Sequence, residues 1–207
     1  MIQKSFQNEK STLFLVATPI GNLEDLTIRA KNTLENVDII FAEDTRVAKK
    51  LLNHLKIQKN IISFHKYNEN VISKKVIDYL EKNKQVALIS DAGYPLISDP
   101  GEKLVSFVIK QGYNVVTIPG ASAFLNALVS SGLSITNFTF CGFLEKKEQS
   151  IKKQLENLKY RSETLIFYLS IHRLEKTLKI IQNILGNRLV CLASCLLYTS
   201  PSPRDCS

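Results

Sequence analysis

Residues 86–101, VALI followed by SDAGYPLISDPG, decide the fold. A four-residue apolar run closed by turn chemistry reads as a strand buried on both faces, the kind that parallel sheets contain. In the loop after it, Gly93, Pro95, Pro100 and Gly101 fix an unusual backbone path, and Asp91 and Asp99 add two carboxylates. Open α/β sheets bind ligands at the carboxyl ends of their strands. Three other apolar runs end in the same manner. Residues 13–17 run into TPIGNLEDLT, 37–41 into AEDTR, and 115–118 into PGASA. The four loops are expected to form one site.

Helical patterns separate these strands. Over 25–36, Leu26, Ala30 and Leu34 fall on one face, with Asp25 and Thr27 in the first turn. Over 46–55, Val47, Leu51 and Leu55 fall in register. Further helices are predicted over 71–83, 101–111 and 121–131, and a short strand over 61–64. The alternation implies parallel βαβ units with right-handed crossovers. After Gly120 the pattern changes: strands over 138–143 and 164–168 flank a charged helix at 146–159, then a helix at 173–185 and a strand at 189–193. The reading is α/β: a mobile arm at 1–11, a parallel-sheet N-terminal domain at 12–120, and a smaller, incomplete α/β domain at 121–193. Residues 194–207, with Pro201 and Pro203, fit no pattern and are expected to be a disordered or non-native tail.

Composition narrows the class. A net charge of +8 and a pI near 9.3 suit a polyanionic partner such as RNA, and equally a lysine-rich solvated surface. The polar N-terminus lacks the apolar stretch of a secretory signal, and no apolar run approaches the roughly 18 residues of a membrane span. Cys141, Cys191, Cys195 and Cys206 fit neither a paired zinc motif nor a disulfide framework, and the first two read as buried thiols. A soluble, reduced, cytoplasmic protein is expected.

The motifs each have two readings. Gly21, in Thr18–Pro19–Ile20–Gly21–Asn22, admits close approach of a ligand, or merely makes a tight turn. The loop is neither GxGxxG nor a P-loop. Glu43, Asp44, Thr45 and Arg46 either start a helix, with Asp44 capping, or orient substrate, with Arg46 gripping a phosphate. Asp91 and Asp99 suit acid–base work or loop-ordering turns, without the density of ligands a metal needs. Gly120, Ala121, Ser122 and Ala123 open a helix whose amides could receive a ligand. His54, His65 and His172 are isolated in sequence, and Ser122 lacks the glycines of a nucleophile elbow.

Together, TPIGNLEDLT, AEDTR, SDAGYPLISDPG and IPGASA, in this order and spacing, resemble the tetrapyrrole methylase superfamily, in its ribosomal branch. The resemblance covers about 13–193 and includes Phe167, Tyr168, His172 and Arg173, with Tyr94 in place of Thr and Leu169 and Ile171 in place of Glu and Pro. It implies two α/β domains, S-adenosylmethionine as methyl donor, no metal, and a homodimer when full length. It also implies transfer to the ribose 2′-hydroxyl of a cytidine in the decoding centre of 16S ribosomal RNA in the small subunit. By the same resemblance, Ile20, Gly21, Gly93, Tyr94, Pro95, Ile97, Ser122, Ala123 and Tyr168 would hold the cofactor. Asp44, Arg46, His172 and Arg173 would face RNA. Asp91 and Glu43 are the candidates for proton removal. Family members continue past 193 with an RELTK-like stretch that this sequence lacks, so its second domain is expected to be truncated. The alternatives are a non-catalytic RNA-binding fragment, a tetrapyrrole methylase of the same fold, and an unrelated nucleotide-binding α/β protein.

Overall fold

β1 (Thr12–Val16), β2 (Ile39–Ala42), β3 (Ile61–Ser63), β4 (Val86–Ile89) and β5 (Asn114–Ile118) make one sheet in the computed structural model, which describes residues 10–194. Every pairing is parallel, in the order β3-β2-β4-β1-β5. Central β4 is buried along its whole length, as its unbroken apolar run requires. The crossovers carry α1 (Ile28–Asn36), α2 (Thr45–His54), α3 (Glu69–Glu81) and α4 (Glu102–Lys110).

The period-two alternation of the strands sorts their side chains into two cores. Leu13, Leu15, Ile39, Phe41, Val86 and Leu88 face α3 and α4, where they meet Val76, Leu80, Leu104 and Val108. Val16, Ile40, Ala42, Ala87 and Ile89 face α1 and α2, where they meet Ala30, Leu34, Ala48 and Leu52. The chain therefore winds one way from β1 to β3 and returns the other way through β4 to β5. That reversal flanks β4 with strands whose helices leave to the opposite side. The crevice this opens lies at the carboxyl end of β4, where the 90–101 loop begins.

The described chain folds as two compact units that divide after Ser122. In the second, β6 (Phe138–Phe143) and β7 (Thr164–Tyr168) pair in parallel, with a register shift between Phe140 and Gly142. α5 (Ala123–Ser130), α6 (Glu148–Glu156) and α7 (Leu174–Leu185) complete this unit. Leu144, Ile151, Leu155 and Ile180 form its core.

Several boundaries differ from the sequence reading. Ser11 is no part of a mobile arm: it is 2% exposed and its hydroxyl donates to the Leu80 carbonyl at 2.7 Å. The helix expected over 25–36 starts at Ile28, because Thr27 is extended and its Oγ1 accepts from the Ala30 N–H at 3.0 Å. A separate 3-10 turn, Leu23–Asp25, precedes it. The last predicted strand, 189–193, is not one. It finds no ladder partner among the described residues, and Leu189, Val190 and Leu192 stay exposed. Cys191 in that stretch is exposed, and Cys141 is only half-buried, so neither is the buried thiol expected. The arm at 1–9 and the tail from 195 lie outside the described residues.

Candidate functional site

The first loop and the 90–101 loop are stitched together at the ends of β1 and β4. Thr18 and Gly93 exchange both backbone hydrogen bonds, at 2.9 and 3.1 Å. The Thr18 hydroxyl donates to the Ser90 carbonyl at 3.1 Å, and the Ser90 hydroxyl donates to the Gly93 carbonyl at 3.2 Å. Thr18 is 3% exposed, so these bonds satisfy groups that water does not reach. Gly93 has φ +80, and a Cβ there would stand 3.3 Å from Ile20 Cγ2 and 3.7 Å from the Ala121 carbonyl oxygen. Glycine here thus lets the backbones of the two loops approach closely, where a side chain would crowd Ile20. Leu96 and Ser98 in the same loop also take positive φ. Strain of that kind persists only where surrounding bonds enforce it.

The loop after β5 joins this assembly through Tyr94, whose hydroxyl accepts from the Gly120 N–H at 3.0 Å. A Cβ on Gly120 would meet Ala17 Cβ at 2.9 Å, so this glycine is a close-packing requirement. The loop after β2 joins through Asp91, whose Oδ1 accepts from the Asp44 N–H at 3.1 Å. The four loops predicted to converge are thereby linked in pairs around the end of β4.

Charge is concentrated there. Asp44 caps α2, accepting from the Arg46 N–H at 2.8 Å, and Arg46 Nη2 closes an ion pair on Asp44 Oδ2 at 2.6 Å. Hydrogen bonds from the Arg46 side chain and backbone hold the Asp44 carboxyl down at about 2. Glu43 behaves oppositely: burial, then the negative charges of Asp99, Asp91 and Asp44, push its carboxyl above the usual range. Burial likewise raises Asp99, against a hydrogen bond from Ser90 that lowers it and with Asp91 adding to the rise. Two carboxyls with raised proton affinity thus stand beside one held ionised.

A cavity of about 200 Å³ opens between the first loop and α2, bounded by Thr18, Leu23, Val47, Lys50, Leu51 and Asp91 among others. The sequence reading missed Lys50 altogether and put Val47 on the buried stripe of α2. The stripe is Ala48, Leu51 and Leu52, and Val47 is turned out to line the cavity.

The other predicted residues are placed as follows. Ile20 packs on Gly93, Gly21 and Ile97 are exposed, and Pro95 and Ser122 are buried. Ala123 is the first residue of α5, which begins there and not at 121. In the second unit, Tyr168 packs on Phe140 and Phe143, with ring centroids at 5.1 and 5.2 Å. His172 is exposed, and Arg173 Nη1 donates to the carbonyls of Glu145 and Lys146 at 3.4 and 3.3 Å. His65, beyond β3, keeps its Nδ1 buried without a hydrogen bond among the described residues, a feature no spacing in the sequence reveals. Among the described residues, no group of three or more His, Cys, Asp or Glu side chains is arranged to hold a metal ion. Nor is any described helix long and apolar enough to cross a membrane.

Comparison with known proteins gives this geometry a family. Residues 12–195 match the family of tetrapyrrole (corrin/porphyrin) methylases. A protein of Halalkalibacterium halodurans named ribosomal RNA small subunit methyltransferase I is 49% identical over 95% of this chain and 69% of its own length. Proteins of the same name are 46% identical in Bacillus subtilis, over 92% of this chain and 66% of theirs, and 46% in Haemophilus influenzae, over 87% and 64%. The chain spans about two thirds of the length of these curated relatives. Among solved structures, the uroporphyrin-III-C-methyltransferase of Thermus thermophilus superposes with a TM-score of 0.57 at 19% identity, covering 82% of this chain and 74% of that one, which shows a shared fold. By its matched residues and its relatives, the chain belongs to the tetrapyrrole methylase family, on the branch of the ribosomal RNA small subunit methyltransferase I proteins.

Proposed function

We propose that the chain acts as an S-adenosylmethionine-dependent methyltransferase on the ribose 2′-hydroxyl of a cytidine in small-subunit 16S ribosomal RNA. The similarity to relatives named ribosomal RNA small subunit methyltransferase I, running through all four strand-end loops, supports this reading. A homodimer and a cytoplasmic location go with it.

The close approach at Gly93 supports the donor site. A Cβ on Gly93 would crowd Ile20, and the positive φ already favours glycine, so this residue lets the backbone of the 90–101 loop close on the first loop, whose residues the donor would contact. Ile20, Gly21, Gly93, Pro95 and Ile97 would hold the donor from the first unit, with Ser122, Ala123 and Tyr168 following them in the chain. Tyr94 would stand with them, its hydroxyl also accepting from the Gly120 N–H and so tying the loop after β5 to the 90–101 loop.

Bound S-adenosylmethionine supplies a methyl group activated on a sulfonium. The protein's task would then be to orient a ribose 2′-hydroxyl toward the donor and to accept the proton that the hydroxyl gives up. Glu43 suits the second role better than Asp91. Its proton affinity is raised, whereas Asp91 is occupied in holding the Asp44 N–H. Asp44 and Arg46 together form a fixed dipole at the start of α2. His172 and Arg173 would add their cationic or polar edges toward RNA, Arg173 also bracing the loop after β6.

Calorimetry tests the donor site. S-adenosylmethionine should bind the wild-type chain and ATP should not. Binding of ATP with no heat from S-adenosylmethionine would move the protein to unrelated nucleotide chemistry.

A further inference from the structure

We propose that the loop after β3 is an RNA-stacking platform, on which the Tyr67 ring receives an unpaired base of the strand that carries the target nucleotide. The proposal rests on the RNA methylation reading and adds a contact outside the donor site and outside the cavity beside α2. Tyr67 is 95% exposed, so its ring is left in solvent. The loop that carries it is nevertheless tightly built. The Asn68 side chain accepts from the His65 N–H at 2.8 Å and donates to the Ser63 carbonyl at 3.0 Å. The Asn68 N–H donates to the His65 carbonyl at 3.0 Å. Glu69, which opens α3, accepts from the Gly101 N–H at 3.1 Å, so the loop is also fastened to the end of the 90–101 loop.

Three features suit a base. The His65 ring stands edge-on to Tyr67, with centroids 6.1 Å apart and planes at 64°, which braces the tyrosine on one side and leaves a ring face open. A ring held in advance loses little conformational freedom on binding, and the unpaired bases of RNA loops stack on such rings whatever their identity. Lys66, the preceding residue, is exposed and makes no hydrogen bond or ion pair among the described residues, so its ammonium suits the phosphate next to a stacked base. Position is the third feature. β3 and β2 are parallel neighbours in which Ala42 pairs with Ser63, and the Phe64 N–H donates to the Ala42 carbonyl at 2.8 Å. The chain therefore runs on to Glu43 from one strand and to His65 from the next at the same end of the sheet, with the strands about 4.8 Å apart. A base stacked on Tyr67 would belong to a nucleotide near the one presented to Glu43.

The chain contains no tryptophan, so Tyr67→Trp in the full chain places a single indole reporter at the platform. Its fluorescence should be quenched by a single-stranded oligoribonucleotide of about ten cytidines, a length within the span that stacking surfaces cover, and not by inorganic polyphosphate of matching charge. Tyr67→Ala should weaken binding of the oligonucleotide by about fivefold or more with no change in the salt slope, and Tyr67→Phe should stay within about twofold of wild type. Lys66→Ala should lower the salt slope by about one. The melting temperature of Tyr67→Ala should match that of wild type, because the side chain lies in solvent. Equal affinity of Tyr67→Ala and wild type, or quenching by polyphosphate as full as by the oligonucleotide, would overturn the proposal. Binding of small ribosomal subunits that lack the modification is measured in parallel. Subunits bound by the wild type and equally well by Tyr67→Ala remove the platform and leave the methylation reading intact. No binding of subunits by the wild type removes that reading, and the proposal with it.

Discussion

Gly93 concentrates the site's demands in one residue. At φ +80, a side chain costs about 1–2 kcal/mol before any contact is counted. A branched one also intrudes on Ile20. Gly93→Val is therefore expected to lower the melting temperature by several degrees and to abolish S-adenosylmethionine binding in a calorimeter. Unchanged affinity would remove the donor site from this loop. Thr18 makes a complementary case. In Thr18→Val the shape is kept but the hydroxyl bond to the Ser90 carbonyl is lost, and a buried acceptor left unpaired costs about 1–3 kcal/mol. Urea denaturation measures that loss. Glu43 gives a pH test whose sign is fixed. Its folded pKa lies above the ordinary 4.5, so the stability it contributes is present below 4.5 and lost as pH rises through the folded value. Glu43→Gln should be more stable than wild type at pH 7, and the two should converge as pH falls below about 4.5. Asp44 has the opposite sign, its contribution disappearing only as pH falls toward about 2. The glycine, proline and aspartate positions of this loop were legible because such residues have few other uses after a buried strand. The roles of Thr18 and Ser90 were not, since a hydroxyl is equally at home on a surface.

Elements were readable where local pattern and tertiary burial agree. β4 is four apolar residues buried on both faces, and it was found to the residue. α1 shows the opposite. Its apolar spacing extends back to Leu26, but Thr27 offers its hydroxyl to the Ala30 N–H and ends the helix there. Thr27→Ala should cost about 1 kcal/mol of stability by thermal or urea unfolding. A neutral outcome would mean that the start of α1 is set by packing of Leu26 alone. α2 shows a finer failure: Val47 and Leu51 share a spacing, but only Leu51 is buried, and the residues packed in the sheet-facing core are Ala48 and Leu52, because the direction of a helix face is set by what lies beneath it. Residues 189–193 have the composition of a strand and none of its pairing. Strand propensity describes a side chain that fits a pleated surface, and a ladder neighbour must still be supplied.

For the whole molecule, alternation of strand and helix was enough to give the parallel α/β class, whereas the strand order, with its reversal of winding at β4, had no signal in the sequence. Composition alone did not distinguish a basic RNA-binding surface from an ordinary lysine-rich one, since a charge of +8 suits both. The four loop motifs in order pointed to the methylase family, and the relatives matched over about two thirds of their own length belong to it by name as ribosomal RNA methyltransferases. The claim that matters most is the transfer of a methyl group to a ribose oxygen. Small ribosomal subunits that lack the modification should be incubated with this chain and S-adenosylmethionine carrying a tritiated methyl group, and their RNA then hydrolysed in alkali. A 2′-O-methyl blocks cleavage of the next phosphodiester, so the account predicts label in an alkali-resistant dinucleotide that begins with cytidine. Label recovered in ordinary mononucleotides, which places the methyl on a base, would contradict it.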